Sequence, residues 1–219
     1  MNMILIGPPG AGKGTLAAHV AAAWDIAHIS TGEMLRAAVK RGGTAAEQAG
    51  RLMRKGLLLP DALILRIVQE RLSQHDCAEG FILDGMPRTV AQAQALEAMG
   101  VSIDKAILLM VADDVVIRRM TARRICAGCG AGYNLDSMPP KKEGLCDICH
   151  EPIIARADDS PETIANRLKL YHHEAEPVID FYRHRKMLLP IIADSTPQET
   201  AAAWHAALAA EHAADRMPH

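Results

Sequence analysis

Short apolar runs alternate along the chain with longer segments in which apolar residues recur every three or four positions. The short runs read as strands buried on both faces, the longer ones as amphipathic helices. Their alternation is the signature of a parallel sheet covered on both sides. The strand-like runs fall at 3–6, 27–30, 80–84, 105–111 and 188–193. Helical periods occupy 13–24, 32–40, 44–54, 61–74, 89–99, 113–123, 161–184 and 197–212. Several helix starts are written into the residues. Thr196-Pro197-Gln198-Glu199 offers a cap, a proline at the first helical position and a glutamate able to reach back to the cap. Ser160-Pro161 repeats the cap and proline, and Thr89 can cap the period that follows it. Pro177, inside the longest period, is expected to kink or break it. The last residues, 213–219, are expected to fray.

One stretch follows neither period. Residues 126–151 hold Cys126-Ala127-Gly128-Cys129, Cys146-Asp147-Ile148-Cys149, Pro139-Pro140 and Lys141-Lys142. This reads as an insert of turns and short strands, stapled instead of packed. A Cys-x-x-Cys knuckle places two thiolates on one side of a tight turn, and two knuckles complete a tetrahedron. With all four positions filled by Cys126, Cys129, Cys146 and Cys149, the metal is expected to be structural. Zn²⁺ is the first choice, although thiolates also accept Fe or Co. His150 could replace Cys149, but the matched spacing favours the cysteines. The fifth cysteine, Cys77, reads as a small buried apolar residue.

Composition changes this picture little. Of 219 residues, 49% are hydrophobic and only 3% aromatic, so the core must be built from Ile, Leu, Val, Met and Ala. A net charge of −2 gives no broad basic face for general nucleic-acid binding, and anion recognition must come from a local cluster. No apolar run approaches the roughly 18 residues of a membrane span, and the first residues lack a basic signal region. A cytoplasmic protein is expected, where stable disulfides are disfavoured.

The first strand runs into Gly7-Pro8-Pro9-Gly10-Ala11-Gly12-Lys13-Gly14-Thr15 and then into a helical period. Glycines let backbone N–H groups turn inward around phosphate oxygens, the helix start adds partial positive charge, and Lys13 adds a full one. This is a phosphate loop. Gly14 follows Lys13, so the hydroxyl comes one place later, at Thr15, where it can meet a metal or a phosphate. Asp84-Gly85-Met86-Pro87-Arg88-Thr89 follows the third strand-like run. An acid at a strand end near a phosphate loop can hold Mg²⁺, and Arg88 is a bidentate donor aimed at the same region.

Together these motifs resemble the adenylate kinases of the long-lid type over essentially the whole chain. The resemblance is carried by 7–15, Ser30-Thr31-Gly32-Glu33-Met34-Leu35-Arg36, 80–89, Arg119, Arg123, Arg156-Ala157-Asp158-Asp159 and Arg167, in family order. It implies a P-loop NTPase-type parallel five-stranded sheet with helices on both faces, a helical NMP-binding insert and a zinc-stapled lid. It divides the chain into core with phosphate loop at 1–29, NMP-binding insert at 30–59, core at 60–121, lid at 122–159 and core at 160–219. Thr31, Arg36, Leu57, Leu58, Leu59, Gly85, Met86, Pro87, Arg88 and Gln92 would bind AMP. Gly10, Ala11, Gly12, Lys13, Gly14, Thr15, Arg119, Arg123, Gly132, Tyr133 and Pro197 would bind ATP. Arg156 and Arg167 would span both phosphate groups, and Asp84 would organise magnesium. Met86 stands where the family has Phe and Glu33 where it has Asp; neither carries catalytic charge, so these departures bear on packing.

The implied reaction is ATP + AMP ⇌ 2 ADP, by a monomer needing no nucleic acid or membrane. Its physical demands match the residues. The accepting phosphate of AMP is already anionic, so no general base is required. Transfer needs positioning and positive charge, which Lys13, Arg36, Arg88, Arg123, Arg156 and Arg167 supply. A flap with Arg123 before it and Arg156 after it would close over ATP and exclude water. Gly42-Gly43 and the segment from Arg36 to Leu59 would form a second mobile piece over AMP. His172-His173 reads as a solvated or packing pair. Two rivals are weighed: a kinase for another monophosphate or with GTP as donor, and a zinc-ribbon nucleic-acid-binding ATPase using Arg118, Arg119, Arg123, Arg124, Lys141 and Lys142.

Overall fold

The structure, a computed structural model, describes residues 1–42 and 44–214. Gly43 of the expected hinge and residues 215–219 of the expected frayed end lie outside the described residues. In chain order the first elements are β1 (Asn2–Ile6), α1 (Lys13–Trp24), β2 (Ala27–Ser30), α2 (Thr31–Arg41), α3 (Thr44–Arg54) and α4 (Asp61–Leu72). There follow β3 (Phe81–Asp84), α5 (Val90–Ala98), β4 (Lys105–Met110), α6 (Asp113–Thr121), β5 (Arg123–Cys126) and β6 (Gly132–Asn134). The chain continues through β7 (Ile153–Ala155), α7 (Pro161–His184), β8 (Leu188–Ile192) and α8 (Pro197–Ala214).

The five strand-like runs of the sequence form one sheet in the order β2-β3-β1-β4-β8, every pair parallel. Side chains alternate across it as the two-residue period requires. Ile4 and Ile6 of β1, Ala27 and Ile29 of β2, and Phe81 and Leu83 of β3 face one core. That core is completed by Leu35, Ile64, Val68, Leu96, Val178 and Ile179 from α2, α4, α5 and α7. Met3 and Leu5, Ile82, Ile107 and Leu109, and Leu189 and Ile191 face the other. There they meet Leu16, Ala17 and Val20 of α1 and Ala201, Trp204 and Leu208 of α8. Burial on both faces explains why β1 and β3, inside the sheet, read as continuous apolar runs, whereas β8 at its edge alternates buried Leu189 and Ile191 with exposed Pro190 and Ile192.

The caps behave as their residues require. Thr163 N–H donates to Ser160 Oγ at 3.2 Å and Gln92 N–H to Thr89 Oγ1 at 3.2 Å. Thr196 and Glu199 bond reciprocally: Glu199 N–H reaches Thr196 Oγ1 at 3.3 Å, and Thr196 N–H reaches Glu199 Oε2 at 3.0 Å. Two expectations are corrected. Pro177 does not break α7, which is continuous through it. Proline leaves the carbonyl four residues earlier without its helical donor, and both Pro177 and His173 lie on the exposed side, where water can serve that carbonyl. The period at 113–123 also stops early. Ala122 caps α6, and Arg123 opens β5, where pairing with two strands outweighs helix propagation.

The cysteine segment forms a separate antiparallel sheet in the order β6-β5-β7. Its buried apolar cluster consists of Cys126, Tyr133 and Cys146, with Ala131 and Ile153 against it. Cys77 is 8% exposed and packs in the main core, the small buried apolar residue it was expected to be.

The start of α7 generates a stability prediction. Thr163 Oγ1 donates to Arg54 O at 2.7 Å, so the Ser160 hydroxyl, 2.8 Å away, donates to Thr163 while accepting from its N–H. Ser160→Ala removes the cap and is expected to cost about 1 kcal/mol, read as a lower urea midpoint at unchanged slope. An unchanged midpoint would show that the cap carries no net stability.

Candidate active site

The carboxyl ends of β1, β3 and β4 meet where the chain's crossovers switch direction, the place at which open α/β sheets bind ligands. A cavity of about 1400 Å³ opens there. The loop after β1 forms its floor. Gly12 caps α1 with φ 88°, a left-handed conformation that only glycine adopts without strain. At Gly7, φ is 154° and a Cβ would stand 2.9 Å from the carbonyl oxygen of Leu109, so a side chain has no room. Lys13 begins α1, and its Nζ donates to Gly7 O and Pro8 O, both at 2.7 Å. Burial draws its ammonium down from 10.5 to about 8; Asp84 opposes the fall, while Arg88, Arg167 and Arg123 add to it.

Asp84 ends β3 at 9% exposure, its Oδ2 3.4 Å from where a Cβ on Gly14 would lie. One carboxylate beside a phosphate loop suits Mg²⁺, which is held by one or two carboxylates together with substrate phosphates. Beyond Asp84 the turn carries Arg88, whose Nε donates to Gly85 O at 2.8 Å. Its guanidinium lies below the ordinary arginine value, because burial outweighs the attraction of Asp84.

The lid contributes its arginines through two carboxylates. Arg123 on β5 grips Asp159 with Nε and Nη2, at 2.7 and 2.5 Å. Arg156, just past β7, grips Asp158 in the same way, at 3.1 and 2.8 Å. Arg167 on α7 reaches both, at 3.4 Å to Asp158 Oδ2 and 3.5 Å to Asp159 Oδ1. Burial and the neighbouring cations pull Arg167 down to about 10 against the pull of Asp158. Arg36 on α2 also falls to about 10, first by burial and then by Arg156. For Asp158, burial alone would raise the carboxyl, yet Arg156, Arg167 and Arg36 together hold it below the usual range. Asp158 and Asp159 belong to a motif singled out in the sequence, but their part as holders of the arginines went unread. Two adjacent acids between Arg156 and the Ser160 cap were the available signal.

The cavity brings together Gly10 to Thr15, Arg36, Leu58, Asp84, Gly85, Pro87, Arg88, Arg119, Arg123, Gly132, Tyr133, Arg156, Arg167 and Pro197. Arg119 donates to Ala193 O at 2.7 Å and Ser195 O at 2.8 Å, joining α6 to the chain ahead of Pro197. Five of the expected residues do not line the cavity. Thr31 is buried, its Oγ1 donating to Asp84 O at 3.1 Å. Leu57 faces solvent and Leu59 the core, while Met86 is fully buried. Gln92 is also fully buried, with Oε1 accepting from Arg88 N–H at 2.7 Å and Nε2 donating to Asp61 Oδ1 at 2.6 Å. His172 pairs with Asp113 and His173 with Glu174, both exposed.

The adenylate kinase family profile matches residues 5–187. An adenylate kinase of Caldicellulosiruptor saccharolyticus is 44% identical over 204 residues, covering 91% of this chain and 95% of its own. One from Geobacillus sp. strain WCH70 is 48% identical over 192 residues, covering 86% and 89%. One from Trichlorobacter lovleyi is 47% identical over 195 residues, covering 87% and 91%. The chain belongs to the adenylate kinase family. It is a nucleoside monophosphate kinase, and the family reaction is ATP + AMP ⇌ 2 ADP.

In the lid, the four Sγ atoms of Cys126, Cys129, Cys146 and Cys149 lie within 4.8 Å of one another. Cys126 and Cys149 are 3.3 Å apart and Cys129 and Cys146 3.6 Å, far beyond a disulfide bond. A zinc–sulfur distance near 2.3 Å gives a tetrahedron edge of about 3.8 Å, so the donor set and its spacing fit a closed zinc site.

The state of Lys13 sets a pH dependence. The charged ammonium attracts phosphate, and it is fully protonated well below about 8. Because Lys13 loses that charge as pH rises through about 8, kcat/KM for ATP is expected to be flat near neutrality and then to fall. Lys13→Arg is expected to abolish that alkaline limb, whatever its basal rate. A wild-type profile flat to pH 10 would contradict the assignment.

Proposed function

We propose that the chain carries out the transfer from ATP to AMP in this cavity, with the cations placed by both lid roots and the core as its working parts. The observation that carries the reading is the convergence of Lys13, Arg88, Arg123, Arg156 and Arg167 on one cavity beside Asp84. Lys13 and the loop N–H groups would cradle the donor's phosphates, and Arg119 with the chain at Pro197 would flank its base. Arg36 and Arg88 would hold the AMP phosphate. Arg123, Arg156 and Arg167 would balance charge on the group in transit, a task of positioning and electrostatics. Magnesium, held at Asp84, would supply further charge neutralisation at the phosphates.

Segments 30–59 and 122–159 are the proposed moving parts over the core. The separate sheet of the lid supports this division. So does the placement of Arg123 and Arg156 at its two ends, where closure would carry both inward and exclude water as a competing acceptor. Zinc at the four cysteines would hold the lid together as one body. A monomer is the form that the family resemblance implies. Four thiols kept as metal ligands suit the cytoplasm, and no helix among the described residues is long and apolar enough to cross a membrane.

The deciding experiment is a coupled assay with Mg²⁺ and ATP, offering AMP, UMP, CMP, GMP or water as acceptor. Fast turnover with AMP and little hydrolysis is expected. Faster turnover of UMP or CMP would overturn the choice of AMP. Arg88→Ala is expected to lower kcat by roughly 100- to 1000-fold while leaving the thermal midpoint nearly unchanged, and a near-wild-type rate would remove Arg88 from the machinery. Cys129→Ser should lower bound metal and the thermal midpoint together. Loss of activity in a folded, cool sample with full metal content would contradict a structural metal.

A further inference from the structure

Tyr133 faces two ways. It lines the cavity, yet it is 7% exposed and its ring packs with Cys126 and Cys146 in the lid's small core. Its hydroxyl oxygen accepts from Asp147 N–H at 2.7 Å. A backbone N–H can only donate, so the phenol's single hydrogen is free for an acceptor, and Cys146 Sγ lies 3.3 Å away. Ile148 N–H points at the same sulfur from 3.4 Å.

This sulfur needs such donors more than its exposed partners do. Cys129 and Cys149 are exposed, so water can solvate the charge their thiolates carry; Cys146 is 1% exposed. A buried thiolate without donors is costly, and hydrogen bonds from groups behind the ligands orient them and tune the metal. The phenol also reaches across the insert, from β6 to the second knuckle. On β6, Tyr133 stands opposite Arg124, and its neighbour Asn134 stands opposite Arg123.

We infer that Tyr133 is a positioning residue of the lid metal centre, its hydroxyl donating to the Cys146 sulfur, fixing that ligand and slowing loss of the metal. The same bond ties the cavity wall formed by β6 to the metal. The inference rests on reading the four cysteines as a metal site.

The test is Tyr133→Phe in the full chain, which keeps the ring and removes only the hydroxyl. Zinc transfer to an excess of a chromogenic chelator is expected to be favoured or accelerated by roughly 10- to 100-fold. The thermal midpoint should fall further in the zinc-loaded protein than in the chelator-treated one, where only the bond from Asp147 N–H is lost. With Co²⁺ substituted, loss of the hydrogen bond raises the sulfur electrons in energy, so the sulfur-to-cobalt charge-transfer band should move to longer wavelength. That band keeps the test decisive if the metal-free protein does not fold. Equal zinc release with an unmoved cobalt band would overturn the role of Tyr133 while leaving the metal site intact. Equal loss of midpoint in loaded and metal-free forms would reduce Tyr133 to packing and overturn it as well. Wild-type protein that takes up neither zinc nor cobalt would instead overturn the metal site itself, and this inference with it.

Discussion

Like charges crowded into one cavity are the constraint around which this molecule is arranged. Lys13 comes from the start of α1, Arg36 from α2, Arg88 from the turn after β3, Arg123 and Arg156 from the ends of the lid, and Arg167 from α7. Burial first, and then their mutual repulsion, draws Lys13 to about 8 and Arg36 and Arg167 to about 10. Asp158 and Asp159 make the cluster tolerable. Partly buried ion pairs contribute little net stability once desolvation is counted, and what they secure is geometry. Two adjacent carboxylates hold forks from a strand, from the chain after a strand and from a helix, so the lid roots and the core share one electrostatic joint. A nucleotide's phosphates would compete with these carboxylates for the same forks. For Arg123, Arg156 and Arg167, binding would then exchange one anionic partner for another.

The lid meets a different limit. Three short strands offer only Cys126, Tyr133, Cys146, Ala131 and Ile153 as apolar filling, far below what a self-supporting core requires. Four sulfurs lie within 4.8 Å of one another, where a bound metal would supply the missing cross-link. A flap held this way would be able to move as one body, its internal order set by the metal and not by contacts with the core.

What was legible in the sequence follows from how local each signal is. The inner strands β1 and β3 were readable because burial on both faces leaves an uninterrupted apolar run, and the caps at Thr89, Ser160 and Thr196 because cap and partner are three residues apart. The phosphate loop and the cysteine knuckles are likewise local. The end of α6 was not readable, since Arg123 leaves the helix only because β6 and β7, distant in sequence, pair with β5. The survival of α7 through Pro177 depends on which side of the helix meets water. The gripping of Arg123 by Asp159, 36 residues away, has no local pattern at all.

Gln92 shows how a resemblance and a structure can weigh one residue differently. Resemblance places it among the groups that bind AMP. Here both ends of its amide are engaged inside the protein, at full burial. Arg88 N–H can only donate and the Asp61 carboxylate can only accept, so the amide has a single orientation, and turning it over would set like against like at both ends. The oxygen therefore stays on the backbone of Arg88, and α4 is joined through Asp61 and Gln92 to the turn that carries the Arg88 guanidinium. A residue so placed would act on AMP first by holding an arginine where, in the proposed reaction, the phosphate arrives. Its half-buried partner Asp61, outside every motif, is what gives that hold its direction.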